Sequence, residues 1–273
     1  MKKYRLYSWL NIISLLIHVA VAYASNTKMI NGNSMGEVSA KYDSLFAPAG
    51  FTFSIWSVLY ISLLAFAIYH LVCSYRSTED HPANFDTNRI GSWFILNNLA
   101  AVAWLYTWTA EMIVLSLVLM AIQLLCLLFI NLRLKIYEPR RELASKFFTQ
   151  FPFGLYMGWI VVATIANLAA WLGTTGWEWW NQSEVVGTQF LIGLAGILAI
   201  FMMVRRRNAF FGMAVVWAFY GIAQKRRQEN VDDHAILVQT AWMGITIVGF
   251  ILVVQLITNA SRRKERNKAG LKV

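Results

Sequence analysis

The residues of this chain that could do chemistry are tryptophans and side-chain amides inside apolar segments. Four tryptophans and four amides lie deep in such segments: Trp56, Trp104, Trp159, Trp217, Asn97, Asn98, Gln123 and Asn167. A primary amide in lipid has to find a hydrogen-bonding partner, so these amides should face other helices or a cavity. They either hold helices together or form the polar contacts of an aromatic-walled pocket suited to a flat, apolar ligand.

The chain has eight apolar stretches, five of which carry these residues, and none of the eight contains Lys, Asp or Glu. They are residues 5–24, 51–73, 91–109, 112–131, 150–173, 187–204, 208–223 and 236–258. Most reach the ~17–25 residues that a helix needs to cross a ~30 Å hydrocarbon core. Because backbone polar groups in lipid must be paired within their own segment, the stretches predict helices and not strands. The expected fold is an all-α polytopic membrane protein with about eight transmembrane helices.

The basic residues predict how these helices are oriented. With eight spans and a cytoplasmic N-terminus, 19 of the 24 Lys and Arg residues fall on the inner side and 5 on the outer side. This positive-inside bias predicts that both termini are cytoplasmic. The net charge of +10 is therefore a topology signal. It predicts membrane lipids with anionic headgroups as partners and gives no reason to expect nucleic acid.

The seventh stretch, 208–223, allows a different count of spans. It is short, and the basic run Lys225-Arg226-Arg227 follows it on the side where few basic residues are expected. If this stretch is re-entrant, seven spans remain and the C-terminus lies outside. We interpret it as a full span.

The first stretch has an alternative interpretation as a signal peptide. Lys2-Lys3, an apolar run and Ala22-Tyr23-Ala24 have the layout of such a peptide. The apolar run is long for that purpose, and Asn11 and His18 interrupt it. We therefore interpret it as the first transmembrane helix.

Several classes of function lack the residues that they need. A retinal photoreceptor requires a buried Lys, and an ion-coupled transporter usually keeps an ionisable group near the bilayer midplane, where such groups are costly. The apolar stretches contain no Lys, Asp or Glu. The sequence shows no Ser-His-Asp set, HExxH motif or glycine-rich phosphate loop. The two cysteines and four histidines have no paired spacing, so neither a metal site nor a disulfide is predicted.

Two motifs in the aromatic segments match a known pattern. Residues 41–60, KYDSLFAPAGFTFSIWSVLY, are similar to a WYxxL element that leads through FxPPGWxF into a helix with a Trp and then Leu-Tyr. In the fifth segment, Tyr156-x2-Trp159-x3-Ala163-Thr164-x2-Asn167 is similar to PYxxWxxxATxLN. In this order the motifs resemble the translocator protein family, also called tryptophan-rich sensory protein or TspO/MBR. The resemblance covers about residues 5–173.

The sequence departs from the family pattern at several positions. Lys41 stands where the family has Trp, Ala49 replaces the second proline, and one residue is missing between Gly50 and the following Trp. Leu155 replaces the proline before the fifth-helix Tyr. In the third helix Ala101 replaces an Asn, and Asn97 lies one turn earlier. These changes predict a pocket floor that differs from that of the family.

The family has five helices, so the last three spans have no counterpart in it. The resemblance thus implies three parts. Residues 1–173 would form a five-helix TspO/MBR-like membrane domain, residues 174–260 a three-helix membrane extension, and residues 261–273 a basic cytoplasmic tail.

The resemblance implies a ligand pocket between helices near the loop that follows the first span. The candidate ligand-binding residues are Tyr42, Trp56, Tyr60, Asn97, Trp104, Tyr156, Trp159, Ala163 and Asn167. Ala163 lies four residues after Trp159, so both share one helical face and the small side chain leaves room beside the indole. The implied ligands are porphyrins and other flat, apolar molecules, which stack on aromatic faces. The resemblance implies no resident cofactor beyond such a porphyrin or haem-like ligand.

Three functions remain open after this comparison. The favoured one is a membrane sensor or carrier that binds a hydrophobic small molecule, and the resemblance also allows weak light-dependent porphyrin breakdown. The first alternative is a small-molecule transporter or permease that the last three spans complete, although the halves show no inverted repeat. The second is a structural membrane partner protein. The resemblance further implies a homodimer, unless the additional helices occupy the dimer surface.

Overall fold

The computed structural model describes residues 2–135, 142–229 and 231–268, and this part of the chain is helical, without strands. Its eight long helices are α1 (Lys3–Asn26), α2 (Ile55–Arg76), α3 (Trp93–Thr109), α4 (Ile113–Leu134), α5 (Phe151–Thr174), α6 (Glu184–Arg206), α7 (Ala209–Glu229) and α8 (Ala235–Lys268). They confirm the predicted all-α polytopic fold. The predicted inner-loop residues Arg140 and Arg141, and residues 269–273 of the predicted tail, lie outside the described residues.

Shorter helical pieces connect these helices. Helices at Met35–Lys41 and Pro82–Ile90 lie in the first two connections, and a 3₁₀-helix at Gly50–Ser54 leads into α2. A short helix at Leu143–Ser145 and a π-helical turn at Lys146–Gln150 lead into α5. A helix at Glu178–Gln182 precedes α6, and a 3₁₀-helix at Asp232–His234 precedes α8.

Six of the long helices, all except α3 and α7, are long and apolar enough to cross a membrane by length and composition. Helix α3 is short, with only 17 residues. The last two turns of α7 contain the basic run Lys225-Arg226-Arg227 and are therefore not apolar. Both nevertheless run between the same two ends of the bundle as the other six. At the basic end, Arg89 of the short helix before α3 donates to the carbonyl of Arg133 at the end of α4, at 3.3 Å.

The contacts of α7 contradict a re-entrant turn. Asn208, just before α7, donates a hydrogen bond of 3.3 Å to the side chain of Asn131 near the end of α4. At the opposite end of the bundle, Lys225 of α7 pairs with Asp43 at 2.5 Å. The 21 residues of α7 correspond to about 30 Å of helix, enough to connect the two ends.

Helix α5 lies at the centre and joins the two groups of helices. It packs against α2 and α4 on one side and against α7 on the other. Gly158 of α5 permits the close approach of α7, since a Cβ there would lie 2.6 Å from the carbonyl oxygen of Phe211 and 3.0 Å from Cβ of Ala214. Helices α6 and α8 then pack on α7. The last three helices are thus joined to the first five through α5.

Residues 27–54, called here the covering segment, cross the end of the bundle opposite the arginine-rich turns. The helix at Met35–Lys41 in this segment begins with a capping box, in which Ser34 and Glu37 satisfy each other's backbone N–H groups. This helix packs against α1 and α3. Phe46 and Thr52, further along, are fully buried. The covering segment is therefore a packed layer over the ends of the helices.

Candidate functional site

An aromatic cavity lies beneath the covering segment, between α2, α3, α4 and α5. Six of the nine predicted ligand-binding residues line it: Tyr42, Trp56, Trp104, Trp159, Ala163 and Asn167. Its volume is about 50 Å³. Drug-sized ligands usually occupy ~300–1,000 Å³, so the cavity has too little free space for such a ligand in this conformation.

The aromatic rings around the cavity support one another. Trp56 of α2 and Trp159 of α5 meet edge to face, with ring centroids 6.2 Å apart and planes at 88°. Trp104 stacks on Trp108, one turn later in α3, at 6.0 Å and 15°. Edge-to-face and offset-stacked pairs are the preferred aromatic geometries. The rings in the wall of the cavity are therefore packed in favourable pairs.

The other three predicted residues lie beside the cavity and do not line it. Tyr60 stacks on Trp56 at 5.6 Å, one turn further along α2. Asn97 donates to the hydroxyl oxygen of Tyr156 at 3.1 Å, and both residues are fully buried. Tyr156 meets Trp56 edge to face. These three residues support Trp56 from behind, and Asn97 acts as a contact between α3 and α5.

Asn167 combines both predicted roles of the intramembrane amides. Its Oδ1 accepts a hydrogen bond from Ser116 of α4 at 2.9 Å, and the residue also lines the cavity. Asn98, by contrast, bonds Ser14 and His18 of α1, away from the cavity. The amides are therefore mostly contacts between helices, and Asn167 is also part of the wall.

Sequence reasoning missed several residues of the wall. They are Met35, Ser39, Ser44, Ala47, Pro48, Phe53, Trp108, Met120, Val162, Ala166 and Ala170. The spacing of residues in the sequence could have identified two groups of them. Trp108 follows Trp104 by four residues, and Ala166 and Ala170 follow Ala163 by three and seven, so each group shares one helical face.

Two indole N–H groups at the cavity are unpaired. The Nε1 atoms of Trp104 and Trp159 are buried and have no hydrogen-bonding partner among the described residues. Trp108, in contrast, donates to the backbone carbonyl of Met35 at 3.2 Å. An unpaired buried donor costs about 1–3 kcal/mol. A ligand with acceptor atoms would recover this free energy.

The α3–α4 turn anchors one part of the covering segment. Glu111, in the three-residue turn after α3, accepts from Lys41 at 2.5 Å and from Tyr42 at 2.8 Å. These two hydrogen bonds, that from Lys41 first, hold the pKa of the Glu111 carboxyl below its ordinary value. The same contacts raise the pKa of Lys41 and of Tyr42. Glu111 thus ties the cavity residue Tyr42 to the bundle.

Helices α6 and α7 anchor the rest of the covering segment. The backbone N–H of Leu45 donates to Glu184 of α6 at 2.9 Å. The backbone N–H of Ala49 donates to the carbonyl of Gly221 of α7 at 3.1 Å. Asp43 pairs with Lys225, which explains why basic residues occur at this end of α7. Helices α6 and α7, which belong to the predicted C-terminal extension, therefore hold the covering segment in place above the cavity.

An open cleft adjoins the cavity between α1 and α2. Its volume is about 700 Å³, and Tyr60 and Ser57 are among its lining residues. Met35, Phe53 and Trp56 line both the cleft and the cavity. These three side chains therefore form a partition between the large cleft and the small cavity.

Comparison with known proteins identifies the family. A family model described as TSPO-like protein matches residues 8–254, and the chain belongs to that family. The matched region extends past residue 173 and includes α6, α7 and most of α8. A search among proteins of curated function and a search among solved structures each returned no match. The chain is thus a polytopic, all-helical TSPO-like membrane protein.

Proposed function

We propose that this protein binds flat, apolar molecules such as porphyrins in the aromatic cavity and acts as a membrane sensor or carrier. The observation that carries the proposal is the convergence of Trp56, Trp104, Trp108 and Trp159 on one cavity. Their faces suit stacking on a conjugated ring system. The unpaired N–H groups of Trp104 and Trp159 suit its peripheral carboxylate or carbonyl oxygens.

The small volume of the cavity requires a movement before a macrocycle can enter. The partition of Met35, Phe53 and Trp56 separates the cavity from a space of sufficient size, the cleft of about 700 Å³. We propose that the ligand enters from this cleft when the partition side chains change rotamer. Entry between α1 and α2 suits a ligand that reaches the protein from the lipid phase.

The proposed orientation places the covering segment outside and both termini in the cytoplasm. The positive-inside distribution of charges supports it. A homodimer, which the family resemblance implies, would have to use faces that α6 to α8 leave exposed. Phe190, Ile197 and Phe201 of α6 are such exposed apolar residues. Surrounding lipids are their alternative neighbours.

Dark titration of the detergent-purified protein with protoporphyrin IX, followed by tryptophan fluorescence, tests the proposal. Ala163→Phe fills the cavity and should abolish saturable quenching, whereas Trp159→Phe removes one wall and one donor and should weaken binding about tenfold. Val118→Phe is the matched control, because Val118 is exposed on α4. Non-saturating quenching that is equal in all variants would mean partitioning into the micelle and would overturn the proposal.

A flux assay separates a sensor or carrier from a permease. Purified protein in liposomes should bind porphyrin without accumulating it against a gradient. Saturable, gradient-driven uptake that Ala163→Phe abolishes would favour the permease.

A further inference from the structure

The described residues that line the aromatic cavity carry no formal charge. They include no Lys, Arg, His, Asp or Glu. The adjoining cleft has the same character, since its described lining is uncharged and its polar part includes Tyr23, Asn26, Ser34, Ser54 and Ser57. A ligand that moves from the cleft into the cavity therefore passes between uncharged side chains.

The basic residues of the covering segment, which lies over the cavity, are paired with carboxylates. Lys41, next to the cavity residue Tyr42, donates to Glu111. Lys28 is paired with Glu37. The sequence of this segment contains no other Lys or Arg. Each positive charge above the cavity is therefore already balanced by a carboxylate of the protein.

The polar groups that the cavity offers to a ligand are neutral, and three of them are unpaired. Nε1 of Trp104, Nε1 of Trp159 and Oγ of Ser44 are buried without a hydrogen-bonding partner among the described residues. An indole N–H can only donate, so it requires an acceptor atom from the ligand. Trp108 lines the same cavity, but its N–H already donates to the carbonyl of Met35. The two unpaired indoles therefore favour a ligand that carries acceptor oxygens.

The charge of those oxygens decides which ligand fits. A carboxylate that leaves water for a site without a cation loses several kcal/mol of hydration, and hydrogen bonds from neutral donors return only part of it. The carbonyl oxygen of a ketone, ester or amide accepts the same hydrogen bonds and has much less hydration to lose. The free energy of transfer into this cavity therefore favours an uncharged acceptor.

We propose that the aromatic cavity selects flat, uncharged ligands with carbonyl oxygens and discriminates against carboxylates. The indole N–H groups of Trp104 and Trp159 are the donors to those oxygens. This inference rests on the proposed function, because it takes the same cavity as the binding site, and it narrows the class of ligand. A porphyrin should bind more tightly as its uncharged dimethyl ester than as its dicarboxylate.

Three ring compounds of similar shape test this selectivity on the full chain in uncharged detergent. Anthraquinone has two carbonyl oxygens, anthracene has none, and anthraquinone-2-carboxylate adds one negative charge. Tryptophan quenching measures each affinity, referred to the ligand concentration in the micelles, with Ala163→Phe as the background. Anthraquinone should bind about tenfold more tightly than either of the other two compounds. Equal affinities, or tightest binding of the carboxylate, would overturn the selectivity.

Matched tryptophan variants test which donors are responsible. Trp104→Phe and Trp159→Phe each remove one unpaired N–H, and each should lower the preference for anthraquinone over anthracene about threefold. Trp108→Phe is the control, because it removes an N–H of the same cavity that is already bonded. It should change both affinities in proportion and keep their ratio. A ratio that falls equally in all three variants would overturn the assignment of the donors.

Protoporphyrin IX and its dimethyl ester separate this inference from the proposed function. Saturable binding of both that Ala163→Phe abolishes, with the dicarboxylate bound as tightly as the ester or more tightly, would keep the proposed function and overturn the selectivity. Saturable binding of none of the five ligands would overturn both. Tighter binding of the ester, lost in Ala163→Phe, is the expected result.

Discussion

The indole N–H of Trp217, in α7, donates a hydrogen bond of 2.9 Å to the backbone carbonyl of Thr52 in the covering segment. The two residues are 165 positions apart in the sequence. The carbonyl belongs to the 3₁₀-helix that leads into α2 and thereby to Trp56, in the wall of the aromatic cavity. A helix outside the predicted five-helix domain therefore holds the segment that leads into the wall of that cavity.

Replacement of Trp217 with Phe tests this contact with little change in shape. It removes one hydrogen bond worth about 1 kcal/mol while keeping an aromatic ring. We expect amide hydrogen exchange in residues 48–54 to become about fivefold faster, since local opening would cost that much less. Trp179→Phe, at an exposed position in the α5–α6 connection, should leave these rates unchanged. Unchanged exchange in the Trp217 variant would mean that other contacts hold this segment.

At Gly221, α7 lies very close to the covering segment. A Cβ at this position would lie 2.0 Å from Oγ1 of Thr52 and 2.9 Å from Cβ of Pro48. We expect Gly221→Ala to force the two elements apart and to destabilise the protein by about 1–3 kcal/mol, as overpacking does. Thermal unfolding in detergent measures this change.

Gly193, in α6, provides the control for this substitution. Nothing lies within 4 Å of a Cβ built there. Gly193→Ala should therefore be neutral or stabilise the helix by up to about 1 kcal/mol. Equal melting temperatures for the two variants would contradict the close contact at Gly221.

Arg226 and Lys225 are neighbours in α7 with different environments, and their substitutions should differ. The Arg226 side chain is 2% exposed and pairs with Glu229 at 2.8 Å and with Asp43 at 3.8 Å. Lys225 also pairs with Asp43, at a more exposed position. We expect Arg226→Gln to destabilise by about 2 kcal/mol, because it removes a charge-assisted hydrogen bond between a buried side chain and the partly exposed Glu229. Lys225→Gln should cost less than about 1 kcal/mol, and equal costs in chemical denaturation would contradict the assigned environments.

The positions of the helices were predictable because lipid excludes charged side chains and unpaired backbone groups over a fixed thickness. Lys, Asp and Glu therefore avoid the apolar stretches, and this absence is visible in the sequence. The residues that share a helical face, such as Trp159 and Ala163, were predictable for the same local reason. Their placement in one wall followed from the motif spacing.

Contacts between distant elements were not predictable from such local patterns. Lys225 looked misplaced because its partner, Asp43, is 182 residues away. Trp217 was recognised as a deep tryptophan, but its bond to Thr52 depends on how α7 packs on α5. That packing depends on Gly158, whose missing side chain is evident only once Phe211 is placed beside it. The predicted domain boundary at residue 173 gave no indication that α6 and α7 hold the covering segment in place.

The anchor at Glu111 predicts that the covering segment loosens in acid. Lys41 and Tyr42 both donate to this carboxylate, and they hold its pKa below the ordinary value. A carboxyl with a lowered pKa in the folded state contributes stability above its unfolded pKa of about 4.3 and loses it as the pH falls through the folded pKa. The melting temperature of the protein should therefore exceed that of Glu111→Gln at about pH 6, and the difference should shrink below about pH 4. Glu178→Gln, at an exposed acidic position in the α5–α6 connection, should follow the unsubstituted protein throughout. A constant difference between the protein and Glu111→Gln across this range would show that the carboxylate charge does not hold the anchor.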